Sequence, residues 1–402
     1  MKYDFTSLID RRGMDALAVD SVGAPDSPYP APREGFDPIP MWVADMSFAT
    51  APSVQEAIIR RAEHPCFGYF FPRDEYYDAI IGWHRDRNGV TGLERRHIGY
   101  ENGVLGGVIS ALNVVCSRGG KVLLHSPTYV GFTHCLENNG YHIVHSPLKP
   151  DGAGVWRMDL EDMEEKLRRE HIHAAVFCSP HNPTGRVWER RELEAAMDLF
   201  RRYDVTVVSD EIWSDLILPG HRHIPLQSVS EDARNRTVAL YAPSKTFNLA
   251  GLVGSYHVIY NDTLRDRVDK ESSLSHYNGM NVLSMHALIG ACGPGGREWL
   301  EELLTVLDRN AELAYRTVRN HFPGVTAARP QGTYMFFLDC TGWCESRGRT
   351  LDELLRAGWD VGVVWQDGRQ FGGPCHIRMN LALPTARLEE ALRRLDEYVF
   401  SA

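Results

Sequence analysis

Lysine is nearly absent from this chain. Only Lys2, Lys121, Lys149, Lys166, Lys245 and Lys270 occur among 43 basic residues, so arginine carries almost all of the positive surface charge. No apolar run is long enough to span a bilayer, and Met1–Asp10 lacks the apolar core of a secretion signal, which sets the cytoplasm as the expected location, with no membrane partner. The eight cysteines include no CxxC pair. The two nearest, Cys340 and Cys344, have no histidine at zinc-ligand spacing, so reduced, buried thiols are expected. There is no HExxH, no convincing cluster among the 17 histidines and no Gly-x-Ser-x-Gly elbow, which leaves metal sites and serine hydrolysis without support. The net charge of -10 is spread over mixed-sign helices such as Glu161–Glu170. It leaves no basic stripe for nucleic acid.

What remains is an α/β pattern. At 402 residues and 43% hydrophobic, the chain is long enough for a large core and a second, smaller domain. Short β-branched runs at Lys121–His125, Ala174–Cys178, Val205–Ser209, Thr237–Tyr241 and Tyr256–Tyr260 alternate with helical patterns such as Arg191–Arg202. Each run suits a strand buried on both faces, and together they predict a doubly wound, mostly parallel sheet with its site at the strand ends. The proline-rich stretch Pro25–Pro40 reads as an ordered arm. Past about Gly290 the pattern changes to a long helix, Glu298–His321, an apolar run, Thr333–Asp339, and a last helix from Thr385. The expected division is 1–45 for the arm and part of a small domain, 46–290 for the large domain, and 291–402 for the rest of a small α+β domain.

The scarce lysine makes Lys245 conspicuous, because it follows a strand within Tyr241-Ala-Pro-Ser-Lys-Thr-Phe-Asn-Leu-Ala-Gly251. A nucleophilic lysine must lose its proton, which a small, partly desolvated setting favours. Asp210 ends another strand, where it could pair with a protonated ring nitrogen or merely cap a helix. Asn182 sits in Ser179-Pro-His-Asn-Pro-Thr-Gly185, where two prolines and a glycine could hold its amide still or make an ordinary turn. Glu101-Asn-Gly-Val-Leu-Gly-Gly-Val108 opens a helix with small residues that expose backbone N–H groups to an anion, without forming a GxGxxG fingerprint. Ser244 could add a hydroxyl to that anion, and Tyr129 could stack on a flat ring or pack in the core. Arg378 lies inside the apolar run His376–Leu381, so it needs a partner: a substrate carboxylate or an internal acid.

These residues in this order resemble the fold-type I enzymes that use pyridoxal 5'-phosphate (PLP), the class I/II aminotransferase superfamily. The resemblance covers nearly the whole chain. Within it, Pro40–Pro52, Phe67-Gly-Tyr69, Cys178–Trp188 and Ser209–Leu216 are similar to the MalY/PatB-type cystathionine β-lyase branch. The resemblance implies an aspartate aminotransferase-like fold with Lys245 as the Schiff-base lysine, Asp210 at the pyridine nitrogen and Asn182 at the phenolic oxygen. It implies Tyr129 on the ring, Leu105, Gly106 and Ser244 near the phosphate, and Arg378, beside Asn182, on the substrate carboxylate. Tyr69 matches a position that reaches the neighbouring subunit's phosphate, so a homodimer with shared sites is implied. Lys245, Tyr69 and Tyr129 are the implied catalytic residues.

Two positions depart from the superfamily pattern. Val253 stands where ordinary aminotransferases carry an arginine eight residues after the lysine, and Trp213 stands where they carry tyrosine, or this branch often histidine, at the phenolic oxygen. The first favours carbon–sulfur β-elimination from an L-cysteine conjugate over aminotransfer. Aminotransfer, or a decarboxylating or oxidative variant in specialised metabolism, is the enzymatic alternative. A regulatory module that binds a partner protein is the non-enzymatic one.

Overall fold

The computed structural model describes residues 1–274 and 278–401. Its central sheet has seven strands, ordered Ile98–Glu101, Ser255–Val258, Thr237–Tyr241, Thr206–Asp210, Ala174–Cys178, Lys121–Ser126 and His142–Pro147. The last five pair in parallel, whereas Ser255–Val258 runs antiparallel to both neighbours. That strand ends two residues short of the expected Tyr256–Tyr260 run, and its direction has no signature in composition.

Side-chain alternation explains why the sheet is covered twice. Val122, Leu124, Ala174 and Val176 pack toward helices Val104–Val115 and Val130–Asn138. Leu123, Ala175 and Phe177 point the other way, toward Leu160–Glu170 and Arg190–Arg202. Helix Arg190–Arg202 begins with a reciprocal capping box between Glu189 and Glu192 and buries Leu193, Ala196, Met197 and Phe200 at helical spacing.

A second sheet, antiparallel throughout, orders Thr326–Ala327, Met335–Asp339, His376–Asn380 and Gln366–Asp367. The expected strand at Thr333 starts two residues later, because Thr333 adopts φ +64 and bends the chain. Helix Pro294–His321 starts four residues earlier than expected, with a proline in its first turn where no N–H is missed. The arm ends by pairing: Ile39–Pro40 lies parallel to Val363–Val364.

Function-bearing segments begin where strands of the large sheet end. Tyr129 follows Ser126, Asn182 follows Cys178, Asp210 closes its own strand, and Lys245 follows Tyr241.

Candidate active site

A cavity of about 270 Å³ opens at these strand ends, walled by Lys245, Asp210, Asn182, Tyr129, Ser244 and Trp213. Leu105 and Gly106 reach it from the first turn of helix Val104–Val115. Eight expected site residues therefore meet in one space. Arg378 touches it through Asn182. Tyr69 does not reach it: its ring is fully exposed on this chain, between exposed Phe67 and Phe71.

Lys245 sits in the short helix Pro243–Thr246. Thr246 Oγ1 donates to Asp215 Oδ2 at 3.0 Å, and Trp83 Nε1 holds the other oxygen of the same carboxylate at 2.9 Å, so the turn is tethered from behind. Lys245 Nζ donates to the Ala44 carbonyl at 2.9 Å. Burial and the Arg378 guanidinium pull its pKa down to about 8 against the opposing charges of Asp45 and Asp210.

Asp210 is buried, and burial pushes its carboxyl up to about 7. Ile212 N–H is the single hydrogen-bond donor to that carboxylate among the described residues, at 3.0 Å. No helix starts after it, so the helix-cap reading fails. Glu211 shows why only one acid of the pair faces the cavity. Its carboxylate points away and accepts from His223 Nε2 and Tyr241 Oη at 2.8 Å each, and from Ser209 Oγ and Leu226 N at 3.0 Å each. Glu211 is saturated; Asp210 is not.

Arg378 is buried without an acid. Its Nη1 donates to Asn182 Oδ1 at 3.0 Å and its Nη2 to Trp42 O at 2.9 Å and Gln366 Oε1 at 2.5 Å, with the Phe371 ring centroid 4.3 Å from the guanidinium carbon. The Nε has no hydrogen-bond partner among the described residues, and burial draws the group down to about 10. Of the two readings, the internal Asp or Glu pair is therefore absent among the described residues.

Tyr129 precedes helix Val130–Asn138, and its ring lies where a side chain at position 131 would stand. A Cβ on Gly131 would come within 2.4 Å of Tyr129 Cε1, so the glycine makes room for the ring. At Gly106 a Cβ would meet nothing within 4 Å, which leaves open space against the helix start. Trp213 is both buried and cavity-facing. It packs edge-on against Tyr334, with centroids 4.8 Å apart, and its own ring centroid lies 6.0 Å from Lys245 Nζ. It is not turned away from the site.

The site residues that the sequence reading missed belong mainly to one strap, Trp42–Met46. Its carbonyls accept from Arg378 at Trp42, from Asn380 at Val43 and Asp45, from Lys245 and Tyr334 at Ala44, and from Asn248 and Arg11 at Met46. The motif Pro40–Pro52 was visible in the sequence, but its contribution is backbone oxygen, which residue identity does not report. The eight cysteines are free, and Cys344 and Cys375 approach to 3.5 Å between sulfurs, well beyond a bond. Among the described residues no cluster of three or more His, Cys, Asp or Glu could hold a metal, and no helix is long and apolar enough to cross a membrane.

This geometry has known counterparts. Residues 37–395 match the model of the family Aminotransferase class I and II, and the chain belongs to that family. Cystathionine beta-lyase PatB of Bacillus subtilis is 35% identical over 362 residues, covering 89% of this chain and 92% of PatB. Protein MalY of Escherichia coli is 30% identical, covering 98% of each chain. The crystal structure of cystalysin from Treponema denticola, which contains a pyridoxal 5'-phosphate cofactor, superposes with a TM-score of 0.89 at 28% identity over 99% of both chains.

The residues present fit that cofactor on their own chemistry. Asp210 is a buried carboxylate with room for a second donor, Lys245 is an amine with a lowered pKa, and the Gly106 turn leaves space for an anion beside exposed N–H groups.

Proposed function

We propose that this protein is a PLP-dependent carbon–sulfur β-lyase that splits an L-cysteine S-conjugate into a thiol, pyruvate and ammonia. The observation that carries the reading is one cavity shared by a lysine with a depressed pKa and an under-bonded buried aspartate, with an acid-free arginine behind its wall residue Asn182. The lyase names of PatB and the place of Val253 at the cavity wall support elimination over aminotransfer.

Pyridoxal phosphate, when bound, supplies an electron sink for negative charge developing at the substrate Cα. Asp210 would hold a proton on the ring nitrogen, and the Asn182 amide would donate to the phenolic oxygen. The Tyr129 ring would cover the flat face, while Ser244 and the N–H groups at Leu105 and Gly106 would take the phosphate. Arg378 grips the substrate carboxylate through its planar fork and so fixes Cα beside Lys245. Lys245 Nζ takes the Cα proton, a Cα–Cβ double bond forms, the Cβ–S bond breaks and the thiolate leaves. Water then releases pyruvate and ammonia.

In this reading residues 46–290 hold the cofactor, and 1–45 with 291–402 form the smaller domain that brings Arg378. Two copies pair through the exposed Phe67, Tyr69 and Phe71 ridge, placing Tyr69 at the other copy's phosphate. The test is an assay of a panel of cysteine S-conjugates, L-cystathionine included, with no keto acid added. Equal release of thiol and pyruvate is expected. Strict dependence on an added keto acid, with no thiol formed, contradicts elimination.

A further inference from the structure

A deeply buried ionic pair outside the cavity lies directly behind the turn that joins strand Ile98–Glu101 to helix Val104–Val115. Glu101 and His257 are each 1% exposed, and His257 Nδ1 meets Glu101 Oε1 at 2.8 Å. Ser272 Oγ donates to the same oxygen at 3.1 Å, and Ser110 Oγ donates to Glu101 Oε2 at 3.2 Å. The other face of the imidazole approaches Asp269 at 3.3 Å. The Glu101 backbone carbonyl accepts from Ser255 Oγ at 2.8 Å and from Gly103 N at 3.0 Å.

The side-chain bonds tie the turn to three elements. His257 and Ser255 belong to the adjacent antiparallel strand, Ser272 to helix Asp262–Leu274, and Ser110 to the very helix whose first turn faces the cavity. Two glycines make the space. A Cβ on Gly99 would stand 2.2 Å from His257 Nε2, and one on Gly107 would stand 3.0 Å from Glu101 Cγ and 2.6 Å from Leu240. The carboxylate is thus wedged against the helix start, while Gly103, at φ +83, turns the chain so that residues 103–106 line the cavity. Leaving this buried carboxylate without its partners would be costly at the point where the strand passes into the turn.

We propose that Glu101, held by His257 and Ser110, is a positioning residue for the phosphate cradle: it fixes the 103–106 turn in the orientation that receives the cofactor's phosphate. It touches neither substrate nor cofactor. The role rests on the cofactor reading above and goes beyond it, because no residue of the cluster lines the cavity.

The experiment compares two ligands on the cofactor-free protein prepared by dialysis: pyridoxal 5'-phosphate, and pyridoxal, which lacks the phosphate. Dissociation constants are read by fluorescence quenching for the wild type, Glu101→Gln and Ser110→Ala. Glu101→Gln is expected to weaken pyridoxal phosphate by about tenfold and leave pyridoxal unchanged, with a smaller shift of the same sign in Ser110→Ala. A general loosening of the fold would weaken both ligands together. An unchanged ratio of the two constants in both variants overturns the positioning role. Because Ser110→Ala removes a single hydroxyl, it keeps the test decisive if Glu101→Gln fails to fold. A wild type that binds neither ligand overturns the cofactor reading and this role with it, whereas a wild type that binds both isolates the role alone.

Discussion

Arg378 and Asn182 orient one another. A guanidinium only donates, so the 3.0 Å contact from Arg378 Nη1 commits the Asn182 carbonyl oxygen and leaves its Nδ2 donors as the part of the amide open to a bound group. The residue that reads the substrate carboxylate in our account therefore also aims the residue beside the phenolic oxygen. Arg378→Ala should raise KM for the amino acid by roughly tenfold or more, as loss of a charged hydrogen-bonded contact costs about 1.5–3 kcal/mol. It should also move the visible absorption band as Asn182 loses its anchor. Steady-state kinetics and spectra of Arg378→Ala and Arg378→Lys check this, and an unchanged KM in both variants would place the substrate carboxylate elsewhere.

The lowered pKa of Lys245 has a definite sign. Its neutral form attacks carbonyls, and burial with the Arg378 charge brings its loss of a proton down to about 8. The rate at which cofactor-free protein captures pyridoxal phosphate should climb with pH through about 8 and level off above it. A rate still climbing unchanged through pH 10 would mean that Lys245 titrates as an exposed amine.

The site was legible in the sequence where chemistry and chain position coincide. Lys245, Asp210 and Asn182 each follow a β-branched run, and a parallel sheet delivers such positions to one edge. Glu101 and His257 lie 156 positions apart, and neither residue type announces a partner at that separation. Arg378 was recognised as buried, but whether an acid or two amides faced it depended on Asn182 and Gln366 arriving from other elements. The strap at 42–46 acts through carbonyls that every sequence shares. Tyr69 is an extreme case, since none of the described residues covers its ring.

Trp213 links the lysine to the second sheet. Its ring props Tyr334, whose Oη shares the Ala44 carbonyl with Lys245 Nζ at 3.1 Å and 2.9 Å respectively. Trp213→Phe removes the N–H donor and part of a buried ring, at a cost of about 1–3 kcal/mol in stability. Trp213→His offers a group that can both donate and accept. Both variants should shift the pH titration of the visible band, and the histidine variant should reorder preference among cysteine conjugates. Identical titrations and rankings in all three proteins would reduce Trp213 to packing.

If Tyr69 serves the other subunit, two defective chains can complement each other. Mixing Tyr69→Ala with Lys245→Ala under conditions of subunit exchange gives hybrid dimers with one site free of both changes, so about a quarter of wild-type activity should return. No recovery beyond the sum of the two variants, with exchange verified by mass, would confine each site to one chain.

The central claim is that Lys245 is the reactive amine. Borohydride reduction of the protein loaded with pyridoxal phosphate, followed by digestion and mass spectrometry, locates the pyridoxyl group directly. It should lie on the peptide carrying Lys245, and Lys245→Ala should yield no labelled peptide and no turnover. A pyridoxyl group on Lys121, Lys166 or any other lysine, with Lys245 unmodified, would contradict the account.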